Sequence, residues 1–451
     1  MRRSILMALV LLMVWGLFQN ALVQADYCAE CKGKARIANI GVCRECGQEK
    51  ATSGANMYCP DCSKKLGRCE DCGKELPKPE IVKKDDPKRP HIDIVFAFDS
   101  TGSMQDIIAA AQKKIWAIVN QMGGAKPAPV IRVGLIAYRG EREECYGGTG
   151  FKVWDLSDDL DKVYEQLMAF KADNGERECV GRAIYEATNS VSWDKGKDTF
   201  KVIFVLGNEP ANQDSDQEKY GYKKGASGAV KQDININTIY CAGGGYPNAT
   251  PEWKEIATLA DGVFTTISLE GKVVEISTPM DKEIVELNGK LNQTYLAYGA
   301  KGDEKKELQE AMDKASNSVA GQAAPSAPLA ERTLTKAGKG YYAGAWDLID
   351  AMKNKDFKLE TVKDEELPEE MRKMTPEERR TYLEKKAKER EDIQKQIQEL
   401  GKKREQYIKK EMEKQKLTGD EFDQVINKTL RQQAEKKGFK FEENKSEEEK
   451  K

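Results

Sequence analysis

The stretch FAFDSTGSMQDII places an aspartate and three hydroxyls side by side: Asp99, Ser100, Thr101 and Ser103. A helix start needs one capping side chain, which accounts for one hydroxyl and leaves the others and the acid unexplained. Carboxylate and hydroxyl oxygens in one compact loop are also the donors that a hard cation takes. Mg²⁺ wants an octahedron of oxygens and usually keeps several waters. Two hydroxyls at i and i+2 can bind such an ion directly while the aspartate orients a bound water.

A second group of residues implies different chemistry. Cys28 and Cys31, Cys43 and Cys46, Cys59 and Cys62, Cys69 and Cys72 form four CxxC pairs and supply eight of the chain's 11 cysteines. A tetrahedral zinc ion takes four thiolates at about 2.3 Å, and each CxxC turn delivers two of them from one bend. Four pairs therefore fit two Zn²⁺. Large apolar residues are few here, among them Ile37, Ile40, Val42, Met57 and Leu66, so the segment needs a staple to fold. Glycines follow Cys31, Cys46 and Cys72 closely, where positive φ lets backbone amides face the sulfur. The module resembles zinc ribbons. Two other readings stay open, structural disulfides in an oxidising compartment and a thiol redox or metal-handling role. Cys145 and Cys179 both fall in loops or helix starts on the upper face of the domain that follows and, in an oxidising compartment, are candidates for a disulfide that pins its rim, and Cys241 reads as a buried thiol inside a strand.

These residues need elements to position them. The chain has 451 residues with 73 basic and 75 acidic side chains, a net charge of -2. That balance argues against a nucleic-acid partner, which would call for concentrated basic charge. The single histidine, His91, excludes a His-rich metal site and a Ser/His/Asp triad. Residues 1–25, MRRSILMALVLLMVWGLFQNALVQA, read as a signal peptide with an apolar run too short to span a bilayer comfortably. The protein is therefore expected to be exported, periplasmic or extracellular, with no stable membrane span after cleavage. Residues 26–76 form the Cys-rich module, and the proline-rich, charged stretch 77–90 forms a linker.

From His91 the pattern changes to apolar strands alternating with amphipathic helices. Strands are expected at Ile92–Phe98, Val130–Tyr138, Phe151–Trp154 as an edge, Phe200–Gly207, Ile236–Ala242 and Gly262–Ser268. Helices are expected near 104–122, 158–172, 178–190, 226–232 and 251–260. The alternation predicts an α/β, doubly wound, Rossmann-like parallel sheet over 91–270, with ligands beyond the carboxyl ends of its strands. Asp99 sits at one of those ends.

DSTGSM at the end of a strand resembles the D-x-S/T-x-S motif of von Willebrand factor type A (VWA) domains. The resemblance implies a metal-ion-dependent adhesion site on top of the sheet, filled by Mg²⁺ or by Mn²⁺ or Ca²⁺. Asp99, Thr101 and Ser103 match its first three positions, with threonine at 101 in place of the commoner serine. Two positions depart from the pattern: Glu176, in NGERECVG, lies near the place of the usual threonine, and Asn208, in LGNEP, stands where an aspartate is usual. The resemblance further implies recognition of a partner protein's carboxylate rather than catalysis, and no nucleophile and base pair is visible in the sequence.

Residues 271–365 read as a helical region. Met280, Ile284, Leu287, Leu291 and Tyr295 keep helical spacing, a further helix runs from about Asp303 to Ser316, and Tyr341, Tyr342 and Trp346 form an aromatic anchor. Residues 366–438 read as charged helices. Thr375, Pro376 and Glu378 make a capping box, and Leu383, Ile393, Ile397, Leu400 and Tyr407 form a thin stripe suited to a short coiled coil, with self-association, or to a helical hairpin. Arg390 and Arg404 interrupt that stripe. A second capping box, Thr418 with Glu421, begins another helix, and 439–451 read as a disordered tail. The order of these helical segments is similar to exported bacterial proteins that carry a VWA domain.

Overall fold

The computed structural model describes residues 38–43, 49–53, 89–140, 150–173, 175, 177–246, 248–270, 276–319, 327–415 and 422–441. Outside these lie the signal segment, all CxxC cysteines except Cys43, Cys145, Glu176, the Thr418–Glu421 capping box and the end of the tail. The chain divides into two compact units, Met1–Lys84 and Asp85–Lys451. In the first, β1 (Ala38–Val42) pairs antiparallel with β2 (Glu49–Ser53), and Cys43, directly after β1, is buried.

The second unit is built on a six-stranded sheet. Its strands are β3 (His91–Asp99), β4 (Val130–Tyr138), β5 (Phe151–Ser157), β6 (Phe200–Gly207), β7 (Ile234–Ala242) and β8 (Phe264–Ser268), in the order β5-β4-β3-β6-β7-β8. All neighbours are parallel except β4 and β5, so the edge strand read from the sequence runs against the rest. This is the doubly wound order, reversing direction at β3. Every residue of β3 is buried, because both faces are covered. Ile92, Ile94, Phe96 and Phe98 point into one apolar layer, and Val95 and Ala97 point into the other.

The first layer is closed by α1 (Gln105–Gly123) and α2 (Leu160–Met168). The second is closed by α3 (Val180–Asn189), α4 (Tyr222–Val230) and α5 (Thr250–Leu259). α4 begins four residues earlier than its sequence pattern suggested, because Tyr222, Ala226 and Ala229 are its buried face.

After β8 come α6 (Asp281–Asn292), α7 (Gly302–Val319), α8 (Ala327–Ala337), α9 (Pro376–Gln415) and α10 (Phe422–Lys436). α8 was not read from the sequence. Its Ala-Pro start looks like a break, and its buried residues include Arg332, Thr333, Thr335 and Lys336, which give no apolar period. The capping box of α9 forms as expected, with Thr375 N donating to Glu378 Oε2 at 2.7 Å and Glu378 N donating to Thr375 Oγ1 at 3.3 Å.

The coiled-coil expectation for α9 is corrected by what covers its stripe. Ile393, Ile397 and Leu400 pack inside this chain on Ile284, Leu287 and Leu291 of α6 and on Tyr295 and Trp346. Arg390 and Arg404 do not interrupt the stripe; they are buried within it. Arg390 makes paired hydrogen bonds to Asp347 at 2.6 and 2.9 Å and stacks 4.1 Å from the ring centre of Tyr295. Arg404 meets Asp281 at 2.7 Å. α10 packs into the first layer through Phe422, Ile426 and Leu430, and Phe439, placed in the tail by its sequence, is buried there too. Among the described residues no helix is long and apolar enough to cross a membrane.

Candidate metal centre

Three loops meet above the carboxyl ends of β3 and β6. The first, from β3 to α1, turns through a short 3-10 segment, Gly102–Met104, closed by Met104 N donating to Thr101 O at 3.0 Å. Neither this segment nor α1 has a side-chain cap. The capping explanation for the hydroxyls therefore fails, and they are spent elsewhere. Thr101 N and Oγ1 donate to the two carboxylate oxygens of Asp99 at 2.8 and 3.0 Å. Thr101 Oγ1 lies 3.1 Å from Ser103 Oγ, which donates to Asn208 Oδ1 at 3.1 Å. Asp99, Thr101, Ser103 and Asn208 are thus brought together. Thr101 is 6% exposed, Gly102 and Ser103 face solvent, and Asp99 is fully covered.

Ser100 faces away from this group. Its Oγ donates to Tyr138 O at 3.2 Å and accepts from Arg139 Nε at 3.0 Å, which fastens the loop to β4.

The second loop, which precedes α3, supplies an acid that sequence reasoning missed. Glu178 is buried, its Oε1 lies 3.4 Å from Thr101 Oγ1, and it accepts from Glu209 N at 3.2 Å. Glu176 was chosen from loop position alone. No signal in the loop's sequence marks Glu178; beside it, Cys179 N donates to Arg139 O at 3.2 Å. Cys179 is buried, and its expected disulfide partner Cys145 lies outside the described residues.

The third loop follows β6. Gly207 lets it pass: a Cβ there would lie 2.6 Å from Tyr138 Oη, 2.9 Å from the Trp253 ring and 3.2 Å from Glu178 Oε2. Gly244, after β7, lies against the Asn208 amide with no room for a side chain. Glu209 is held by its backbone, N to Glu178 and O to Trp253 Nε1 at 2.8 Å, and its carboxylate accepts from Gln213 Nε2 at 2.7 Å.

The electrostatics follow from two carboxyls that share a covered space. Burial pushes Asp99 up from 3.8 to about 6, against hydrogen bonds to Glu178 and Thr101 that work to lower it. Burial and the neighbouring Asp99 push Glu178 well above the usual carboxylate range. Charge on both is costly here without a cation. The donors are all hard oxygens, from two carboxylates, two hydroxyls and an amide, which suits Mg²⁺, Mn²⁺ or Ca²⁺ rather than a thiophilic metal. Among the described residues no group of three or more His, Cys, Asp and Glu is arranged for a metal.

No protein-family model and no curated protein sequence matches the chain. Among solved structures it is similar to proximal thread matrix protein 1 (PTMP1) from the mussel byssus in crystal form 2. The identity is 18%, with 40% of this chain and 42% of that chain covered and a TM-score of 0.31. A second structure of that protein, with a zinc-occupied MIDAS motif, gives 17%, 40%, 43% and 0.32. The vWF domain of the type V pili tip protein Mfa5 from Porphyromonas gingivalis gives 12%, 40%, 90% and 0.29. The chain thus spans less than half the length of the mussel protein. Likeness at this level carries no statement about what this chain binds.

Proposed function

We propose that this chain is an exported binding protein whose α/β domain, of the VWA type, uses a divalent ion above the sheet to recognise another protein. The observation that carries this reading is the convergence of Asp99, Thr101, Ser103, Asn208 and Glu178 at the strand ends, with the hydroxyls committed to that group and not to capping. Asp99, Thr101, Ser103 and Asn208 would hold Mg²⁺, Mn²⁺ or Ca²⁺, with an acid from the loop before α3, Glu178 or the neighbouring Glu176. The ion supplies a Lewis-acidic position that an outside carboxylate can fill. The exposed Gly102 and Ser103 leave that side open to a partner. Catalysis by a hydroxyl with a histidine base is disfavoured, since His91 opens β3 and Asp99 closes it, about 26 Å apart along the strand.

The Cys-rich module is proposed to bind two Zn²⁺ as a structural staple. Cys43 and Cys46 stand between β1 and β2 in the sequence, and a CxxC spacing can present two thiolates to one ion.

Calorimetric titration with Mn²⁺ and Mg²⁺ tests the site. Wild type should bind one ion at this loop, Asp99→Ala should abolish the heat, and Glu178→Gln should weaken binding by more than Glu176→Ala does. Equal heats in wild type and Asp99→Ala would discard the reading.

A further inference from the structure

The loop Asp99–Met104 runs directly into α1, and helices from the far end of the chain grip the rest of α1. Asn120 Nδ2 donates to Glu331 O at 2.9 Å, while its Oδ1 accepts from Thr335 Oγ1 at 2.7 Å, both on α8. The Arg332 guanidinium lies 4.9 Å from the ring centre of Trp116 on α1. α10 adds an ion pair of Lys114 with Asp423 at 3.7 Å and a hydrogen bond from Gln121 Nε2 to Asn427 O at 3.4 Å. Just past α1, Lys126 and Lys440 exchange two backbone hydrogen bonds of 2.8 Å.

α8 is itself fixed. Arg332 pairs with Asp161 of α2 at 2.7 Å and with Asp313 of α7 at 2.6 Å, and Lys336 meets Asp313 at 2.9 Å. All four side chains are buried, so moving α8 would strand charges away from water.

A helix behaves as a rod over this length, so an axial slip of α1 moves Ser103 by the same distance. An ion site tolerates about 0.5 Å of misplacement. The first turn of α1 has no side-chain cap, so its axial position is set by the loop before it and by the contacts along its length, those with α8 and α10 among them. We propose that α8 and α10 form an axial lock on α1, and that Asn120 and Thr335 are positioning residues for the ion loop, acting through the helix without touching the ion. The inference rests on the reading of the loop as an ion site.

The test compares Thr335→Val, which keeps the shape and removes the donor, with Thr335→Ser, which keeps the donor. Two quantities are read: Mn²⁺ affinity by calorimetry, and amide hydrogen exchange of Thr101–Ile107 in metal-free protein. Thr335→Val should bind Mn²⁺ about tenfold more weakly at unchanged stoichiometry, with faster exchange across the loop, and Thr335→Ser should stay within about twofold of wild type. Should Thr335→Val fail to fold, Gln121→Ala gives the same comparison on a half-buried position. Wild-type affinity and wild-type exchange in the valine variant would overturn the lock. Wild type that takes up no Mn²⁺ would overturn the ion reading instead, and the exchange data would still decide whether the helices hold the loop.

Discussion

Asp99 and Glu178 place two carboxyl groups where water is excluded, and that arrangement has a cost with a definite pH dependence. A folded-state value of about 6 for Asp99 against an ordinary 3.8 amounts to as much as about 3 kcal/mol of destabilisation above pH 6. The group binds its proton more tightly when folded, so the cost is relieved as pH falls through 6 toward 4. In EDTA, wild type should therefore become more stable between pH 7.5 and 5.5, measured by urea denaturation, and Asp99→Asn should be more stable than wild type at pH 7.5 and show a smaller pH dependence, the remainder coming from the buried Glu178. The same variant should lose ion binding, so stability and binding move in opposite directions. Gly207→Ala should cost about 1–3 kcal/mol and weaken ion binding, because its methyl would press on Tyr138 and Glu178. Asp99, Thr101 and Ser103 were singled out by their D-x-S/T-x-S spacing in one loop, and Asn208 only by its place at the end of a later strand in the resemblance. Glu178 was not, since nothing in the loop's sequence marks it until the fold buries it beside Thr101 and the Glu209 amide.

The strands of the sheet were legible as elements because their apolar runs are continuous, and the edge strand β5 because Lys152 and Asp155 break its run. α8 was hidden by the opposite property, since its inward face carries Arg332 and Lys336, polar groups that find partners only in the folded chain. Burial lowers Lys336 to about 8 even with Asp313 beside it, a mark of how dry that layer is. The stripe of α9 was read correctly as apolar, but its partners were not. Arg390 is held by Asp347 and by Thr294, at 3.0 Å to Oγ1 and 2.6 Å to O. Replacing it alone with Met should leave Asp347 buried and uncompensated, at a cost of about 3–5 kcal/mol. The double variant Arg390→Met with Asp347→Asn, which removes the stranded charge and keeps an acceptor for Leu296 N or Asp350 N, should recover part of that loss in a thermal or urea melt. A double variant no more stable than the single one would mean that the pair contributes little and the damage lies in packing around Tyr295.

Over the whole molecule, one compact unit from Asp85 to Lys451 joins the sheet to the helices that follow it, and this was not legible beforehand because the contacts run between residues such as Asn237 and Gln433. Their side-chain amides pair reciprocally at 2.9 and 2.8 Å inside the protein. Removal of residues 416–451 should therefore lower the melting temperature of the sheet domain itself, by uncovering the apolar layer that Phe422, Ile426 and Leu430 close. A truncated chain with an unchanged melting temperature would make the helices a separate domain. The Cys-rich module should yield about two zinc per chain in elemental analysis of protein purified without added metal, and none would remove the zinc reading. The central claim concerns one ion, and anomalous diffraction from crystals grown with Mn²⁺ addresses it most directly. A peak within bonding distance of Thr101 Oγ1 and Ser103 Oγ, beside Asp99 and Asn208, is the expected result; full occupancy elsewhere with no density over this loop would contradict it.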